Sequence, residues 1–298
     1  MQERLIATSV PIDLAGTLAP FCRGNGDPTM RVGVGEVWRT IRTTAGPATL
    51  HVRSFGHDVR TEAWGPGASS ALQSAPGLIG AEDDDSGFEP RDDVIAELWR
   101  RHRGVRVTRS RGVMHVLIPT ILEQKVTGIE ARRAYRAMVL ATSEPAPGPG
   151  GLFLPPDPAV LAETPYFTFH PWGVEQRRAE TVRRACAQAA RLEAAAALEL
   201  EEAKERLALL PGVGPWTVAE VARLALGDTD AVSVGDFHLA NTVCWALAGE
   251  ARGTDERMLE LLEPYRGQRG RVQRLIEAGG IGAPKFGPRV RPGAIERL

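Results

Sequence analysis

The run Leu210-Pro211-Gly212-Val213-Gly214-Pro215-Trp216-Thr217 constrains the backbone of this chain more than any other stretch. Two glycines one residue apart accept positive φ at no steric cost, so the chain can reverse there within a few residues. Pro215 has a preset φ and no N–H, which suits the first position of a helix and disfavours an interior one. The segment therefore reads as a tight turn opening into a helix from Pro215 to Leu226, closed by Gly227 and about 18 Å long. Such a turn offers unpaired N–H groups and the positive end of a helix dipole, a site for one phosphate that grips backbone without reading bases. The loop from Gly227 to Gly235 then returns along the helix. It brings Asp236, twenty residues after Trp216, toward the turn at the head of a helix read from Phe237 to Ala248.

At 298 residues, with 43% hydrophobic and 24% charged side chains, the chain has room for two domains with their own cores. No apolar run approaches the roughly 20 residues of a membrane span, and the N-terminus lacks signal-peptide zones. The expected setting is cytoplasmic, with no membrane partner. Cys22, Cys186 and Cys244 are too far apart for a disulfide framework or a common zinc site, and read as small buried hydrophobes. The 36 Lys and Arg against 37 Asp and Glu leave a net charge of −1, unlike a strongly basic nucleic-acid binder. The distribution is uneven. From Tyr265 onward, Arg266, Arg269, Arg271, Arg274, Lys285, Arg289, Arg291 and Arg297 face only Glu277 and Glu296. The four arginines from 266 to 274 read either as a phosphate-facing surface or as an ordinary solvated helix face. Glu82-Asp83-Asp84-Asp85 reads as a solvated loop.

Short β-rich runs at Arg4–Ser9, Glu36–Thr43, Thr49–Ser54 and Val59–Trp64 are separated by Gly, Pro and Asp, with a helix from Asp13 to Phe21 between the first two. Gly65-Pro66-Gly67 ends the last strand, and the acidic stretch to Pro90 reads as a linker. Helical spacing dominates from Asp92 onward. The expectation is an α+β protein: a small β-rich domain over 1–88, a helical domain over 89–280 and a basic tail over 281–298.

The pattern at 210–217, followed by Gly235-Asp236-Phe237-His238-Leu239, resembles the helix-hairpin-helix DNA glycosylases, and among them the 3-methyladenine DNA glycosylase II group. The similarity continues through Val116–Val126, Trp172–Val174 and Arg177–Ala179, and loosely the first third. It covers about 4–279 and is strongest over 208–245.

The resemblance implies base excision repair of double-stranded DNA by a monomer that flips out a damaged base and hydrolyses its N-glycosidic bond, leaving an abasic site. Loss of the base leaves positive charge on the deoxyribose, so a fixed carboxylate stabilises the transition state and helps position the attacking water. Asp236 is the candidate. Capping of the following helix is its other reading, and the two are compatible. Relatives that also nick the strand attack the sugar with a lysine in the hairpin. Trp216 holds that place here, which implies hydrolysis without lyase activity.

The resemblance further implies backbone contacts from Gly212, Val213, Gly214, Thr217 and His238, and gap filling by Gln124 or Lys125. A cationic alkylated purine is favoured by an aromatic pocket, for which Trp216, Phe237 and Tyr265 are the available candidates, together with Tyr166, Phe167, Phe169 and Trp172. No cofactor is required. A monovalent cation on the backbone carbonyls of Ala208, Leu210 and Val213 is implied, while an iron–sulfur cluster is not, because three cysteines cannot supply four ligands.

The chain departs from the group at three places. Lys125 replaces an apolar wedge, Glu220 replaces an aromatic one turn after Trp216, and Gln273 or Arg274 stands where a late aromatic is expected. Two other readings therefore stay open: a glycosylase for oxidised or deaminated bases, and a non-catalytic protein that binds damaged DNA.

Overall fold

A computed structural model of the chain describes residues 1–284. The part of the expected tail holding Lys285, Arg289, Arg291 and Arg297 lies outside the described residues. The architecture is α+β: a five-stranded antiparallel sheet, then helices. The strands are β1 (Gln2–Ala7), β2 (Met30–Val32), β3 (Glu36–Thr43), β4 (Gly46–Phe55) and β5 (Asp58–Trp64), in spatial order β1-β5-β4-β3-β2. Period-two alternation sets the register. Val37, Arg39 and Ile41 of β3 lie opposite Val52, Leu50 and Ala48 of β4, all six buried.

The helices are α1 (Leu14–Leu18), α2 (Ala68–Leu78), α3 (Asp93–His102), α4 (Val113–Glu123), α5 (Gly128–Thr142), α6 (Pro158–Glu163) and α7 (Gln176–Ala187). They continue with α8 (Ala189–Glu193), α9 (Leu200–Ala208), α10 (Pro215–Val221), α11 (Leu239–Ala248), α12 (Asp255–Leu262) and α13 (Arg269–Ala278). The reading of 13–21 as one helix divides into α1 and a 3₁₀ turn at Ala19–Phe21.

The linker reading of 65–90 needs correction, because its first half is α2, packed on β1, β4 and β5. Pro76 and Gly77 disguise it. Pro76 has no N–H for the carbonyl of Leu72 four residues earlier, and the Arg4 guanidinium donates to that oxygen at 3.1 Å instead. The acidic run is solvated only in part, at exposed Glu82 and Asp84. Asp83 is buried, accepting from Arg271 Nη1 and Nη2 at 2.8 and 2.6 Å and from the Val107 N–H at 3.0 Å. Asp85 pairs with Arg106 at 2.6 Å. A buried carboxylate needs this many donors to offset lost hydration.

The four arginines from 266 to 274 are likewise paired within the protein, and only Arg266 of the four is exposed. Arg266 pairs with Glu263, Arg269 with Asp230, Arg271 with Asp83, and Arg274 with Glu277 and the Gly16 carbonyl.

Two apolar clusters form the interior. The larger joins the sheet to α4, α5, α7, α9 and α10; the smaller gathers Phe88 and α3 with α11, α12 and α13. Cys186 is buried in the larger and Cys244 in the smaller, while Cys22 packs partly buried against the larger. The hairpin hangs from the first cluster and Asp236 from the edge of the second.

Candidate active site

Backbone geometry makes the hairpin. Gly212 has φ 95°, and a Cβ there would lie 2.5 Å from Thr181 Oγ1, so α7 packs directly on the turn. Gly214 differs: its backbone is extended, and a Cβ would meet nothing within 4 Å. It borders open space at the mouth of α10. Val213 and Thr217 are buried supports. Gly212 closes the turn against protein, while Gly214 keeps the outer face bare. Beyond Val221 the helix widens into a π turn over Ala222–Leu226 and stops at Gly227, φ 79°.

Asp236 is held from both sides. Its Oδ1 accepts the backbone N–H groups of His238 and Leu239 at 2.8 and 2.9 Å, which caps α11. Its Oδ2 accepts Trp216 Nε1–H at 3.3 Å. The indole therefore ties the acid to the first turn of α10, and the cap fixes the rotation of the carboxylate. A carboxylate has about four lone-pair positions, two on each oxygen; the two N–H groups fill Oδ1, so the remaining acceptor capacity is on Oδ2. The sequence placed a helix start at Phe237; α11 begins at Leu239, because the cap occupies 236–238. Phe237 is 83% exposed with its ring edge-on to the exposed His238 imidazole.

Gln124 and Lys125 separate in role. Gln124 Nε2 donates to Gly212 O at 3.0 Å and to Thr217 Oγ1 at 2.9 Å, so its amide is stitched to the hairpin. Lys125 is exposed with φ 57°, left-handed backbone that a non-glycine residue rarely adopts. The end of α4 is fixed on three sides. Buried Arg178 donates to Leu122 O at 2.6 Å, Arg23 binds Glu123 at 2.6 Å, and Gln124 holds the hairpin. The Thr127–Glu130 capping box then starts α5. The sequence drew attention to Arg177–Ala179, but not to Arg178 as the bolt behind this turn.

Tyr265 does not belong with these residues. It is buried in the smaller cluster, stacked on Phe88, with its hydroxyl donating to Asp92 Oδ2 at 2.6 Å and accepting the N–H groups of Arg91 and Asp92. Burial pushes its phenol up to about 12. A neighbouring polar network takes its place. Glu220, one turn beyond Trp216, accepts from Ser233 Oγ; Arg223 forms a two-pronged pair with Glu277 at 2.8 and 3.1 Å. Burial pushes the Glu220 carboxyl up, with Arg223 opposing it, whereas Arg223 overcomes burial at Glu277 and holds it near 2. Sequence pattern could not reveal a network built from 220, 223, 233, 273 and 277.

For the implied cation, the available donors are backbone oxygens. The Leu210 carbonyl accepts the Val213 N–H, Gly212's accepts Gln124, and those of Ala208 and Val213 accept no hydrogen bond among the described residues. Free carbonyls at a tight turn suit a hard monovalent ion. Among the described residues no cluster of His, Cys, Asp or Glu could hold a metal, and no helix is long and apolar enough to cross a membrane.

The sheet, the helical body and the hairpin define the helix-hairpin-helix DNA glycosylase fold, and structural neighbours carry that chemistry in their names. A 3-methyladenine DNA glycosylase from Archaeoglobus fulgidus superposes with a TM-score of 0.78 at 16% identity, covering 92% of this chain and 97% of that one. The 8-oxoguanine glycosylase/lyase of Clostridium acetobutylicum gives 0.72 at 13% identity, covering 93% and 96%. A Schizosaccharomyces pombe 3-methyladenine DNA glycosylase bound to abasic DNA gives 0.53 at 19% identity, covering 72% and 100%. No protein-family model matches the sequence, and no curated protein does.

Proposed function

We propose that this chain is a DNA glycosylase of base excision repair that acts without lyase activity on double-stranded DNA and releases an alkylated purine. One observation carries the reading: a carboxylate, Asp236, oriented by a helix cap and by the indole of the phosphate-gripping hairpin. In the proposed course, the open face at Gly214 and the adjoining N–H groups take one DNA phosphate, with His238 adding a contact. Lys125 fills or braces the gap while Gln124 holds the turn. The flipped nucleotide lies beside Trp216 and Phe237.

Asp236 then stabilises the cationic sugar as the N-glycosidic bond breaks and water adds. Trp216 cannot act as an amine nucleophile, which supports hydrolysis without a Schiff base. A monovalent cation on the carbonyls of Ala208, Leu210 and Val213 would stiffen the turn, and no further cofactor is needed. The cytoplasm, at the nucleoid in a bacterium, is the proposed setting, and a monomer the proposed state.

The test is a methylated duplex incubated with purified protein. Free base should be released and the strand should break only after alkali. Immediate nicking together with a borohydride-trapped adduct would overturn the claim of hydrolysis without lyase activity.

A further inference from the structure

Trp216 and Glu220 stand one turn apart on α10 and so share a face of that helix. Trp216 is bonded to Asp236, and Glu220 to Ser233, three residues before the same acid. Ser233 is also where α13 joins. Its N–H donates to Gln273 Oε1, while the Gln273 amide donates back to Ser233 Oγ and on to Glu277, the partner of Arg223. The Glu220 carboxyl is thus set in place from α10, α13 and the loop before Asp236. Its Oε1 takes a hydrogen bond, and its Oε2 only the longer ion pair to Arg223. Oε2 accepts no hydrogen bond among the described residues; Arg223 Nε lies 3.7 Å away, and the side chain keeps 16% of its surface open. A mostly desolvated acceptor with spare lone pairs is costly unless a donor meets it.

We propose that Glu220 determines base specificity, its Oε2 accepting an N–H from the edge of the flipped base. This rests on the glycosylase reading above and narrows it: the substrate is an alkylated purine that keeps an exocyclic amine on that edge. A purine whose amine has been sealed into a ring by alkylation is refused. The network of Ser233, Gln273, Arg223 and Glu277 positions the acceptor and does not touch the base. A hydrogen-bonding pocket discriminates far more steeply than an apolar one, by up to about 10⁴–10⁵ against an analogue that lacks the partner group.

The experiment compares release of 3-methyladenine and ethenoadenine from otherwise identical duplexes by wild type, Glu220→Gln and Glu220→Leu, with thermal melting as a check on folding. The wild type should strongly favour 3-methyladenine, which keeps its amine. Glu220→Leu should shrink the ratio at least tenfold, and Glu220→Gln, which retains an acceptor oxygen, should restore part of it. Folded variants that lose both activities in equal proportion, or that keep the wild-type ratio, would overturn the proposal while leaving the glycosylase reading intact. Release of neither base by the wild type would overturn both.

Discussion

Replacing the two hairpin glycines separately should divide folding from DNA binding. Gly212→Ala forces a Cβ to within 2.5 Å of Thr181 Oγ1 and 2.8 Å of its Cγ2 on a backbone with φ 95°. Left-handed strain costs about 1–2 kcal/mol and overpacking about 1–3 kcal/mol, so the loss of stability should be about 2–5 kcal/mol. Gly214→Ala meets no atom within 4 Å and has an ordinary φ of −104°. Its stability should stay within about 1 kcal/mol of wild type. Its methyl stands instead where a phosphate would approach, and loss of one charge-assisted contact, about 1.5–3 kcal/mol, predicts duplex affinity falling tenfold or more. Urea denaturation and fluorescence anisotropy with a labelled duplex measure the two effects. A Gly212→Ala protein as stable as wild type would refute the packing argument. A Gly214→Ala protein that binds duplex normally would refute the phosphate site.

Lys125→Gln should leave the melting temperature unchanged and reduce the slope of log affinity against log salt by about 0.9, the value of one phosphate contact; an unchanged slope would remove Lys125 from the interface. Burial, with Arg39 and Arg42 adding to it, holds His115 down to about 3, below its unfolded value of about 6.5. The unfolded chain therefore binds this proton first, and stability should fall as pH drops from about 6.5 toward 3. The ceiling is about 1.4 kcal/mol per pH unit, reduced because His115 is only half-buried. His115→Asn should flatten that part of the curve seen by denaturation at successive pH values.

What the sequence disclosed follows the range over which its signals act. The hairpin was legible because glycine, proline and tryptophan there obey local rules, and β3 because Val37, Trp38, Thr40 and Ile41 are strand-favouring residues. The start of α2 hid behind Gly65-Pro66-Gly67, and its end behind Pro76, whose cost is met by Arg4, 68 residues before the Leu72 carbonyl it binds. The acidic run looked solvated because its partners, Arg106 and Arg271, are distant in the chain. Tyr265 looked like a pocket residue on composition alone; only the fold shows its ring against Phe88 and its hydroxyl on Asp92. Gln124 and Lys125 could not be told apart until the hairpin supplied acceptors for the Gln124 amide.

The central claim is that the Asp236 carboxylate stabilises charge on the sugar. Asp236→Asn keeps an oxygen for the N–H groups of His238 and Leu239, so the cap and the fold should survive. Mass-spectrometric quantification of bases released from methylated duplex by wild type and Asp236→Asn tests the claim most directly. Base release should fall at least a hundredfold, on the order of 3 kcal/mol of lost transition-state stabilisation, with duplex affinity retained. Release at the wild-type rate would contradict the account.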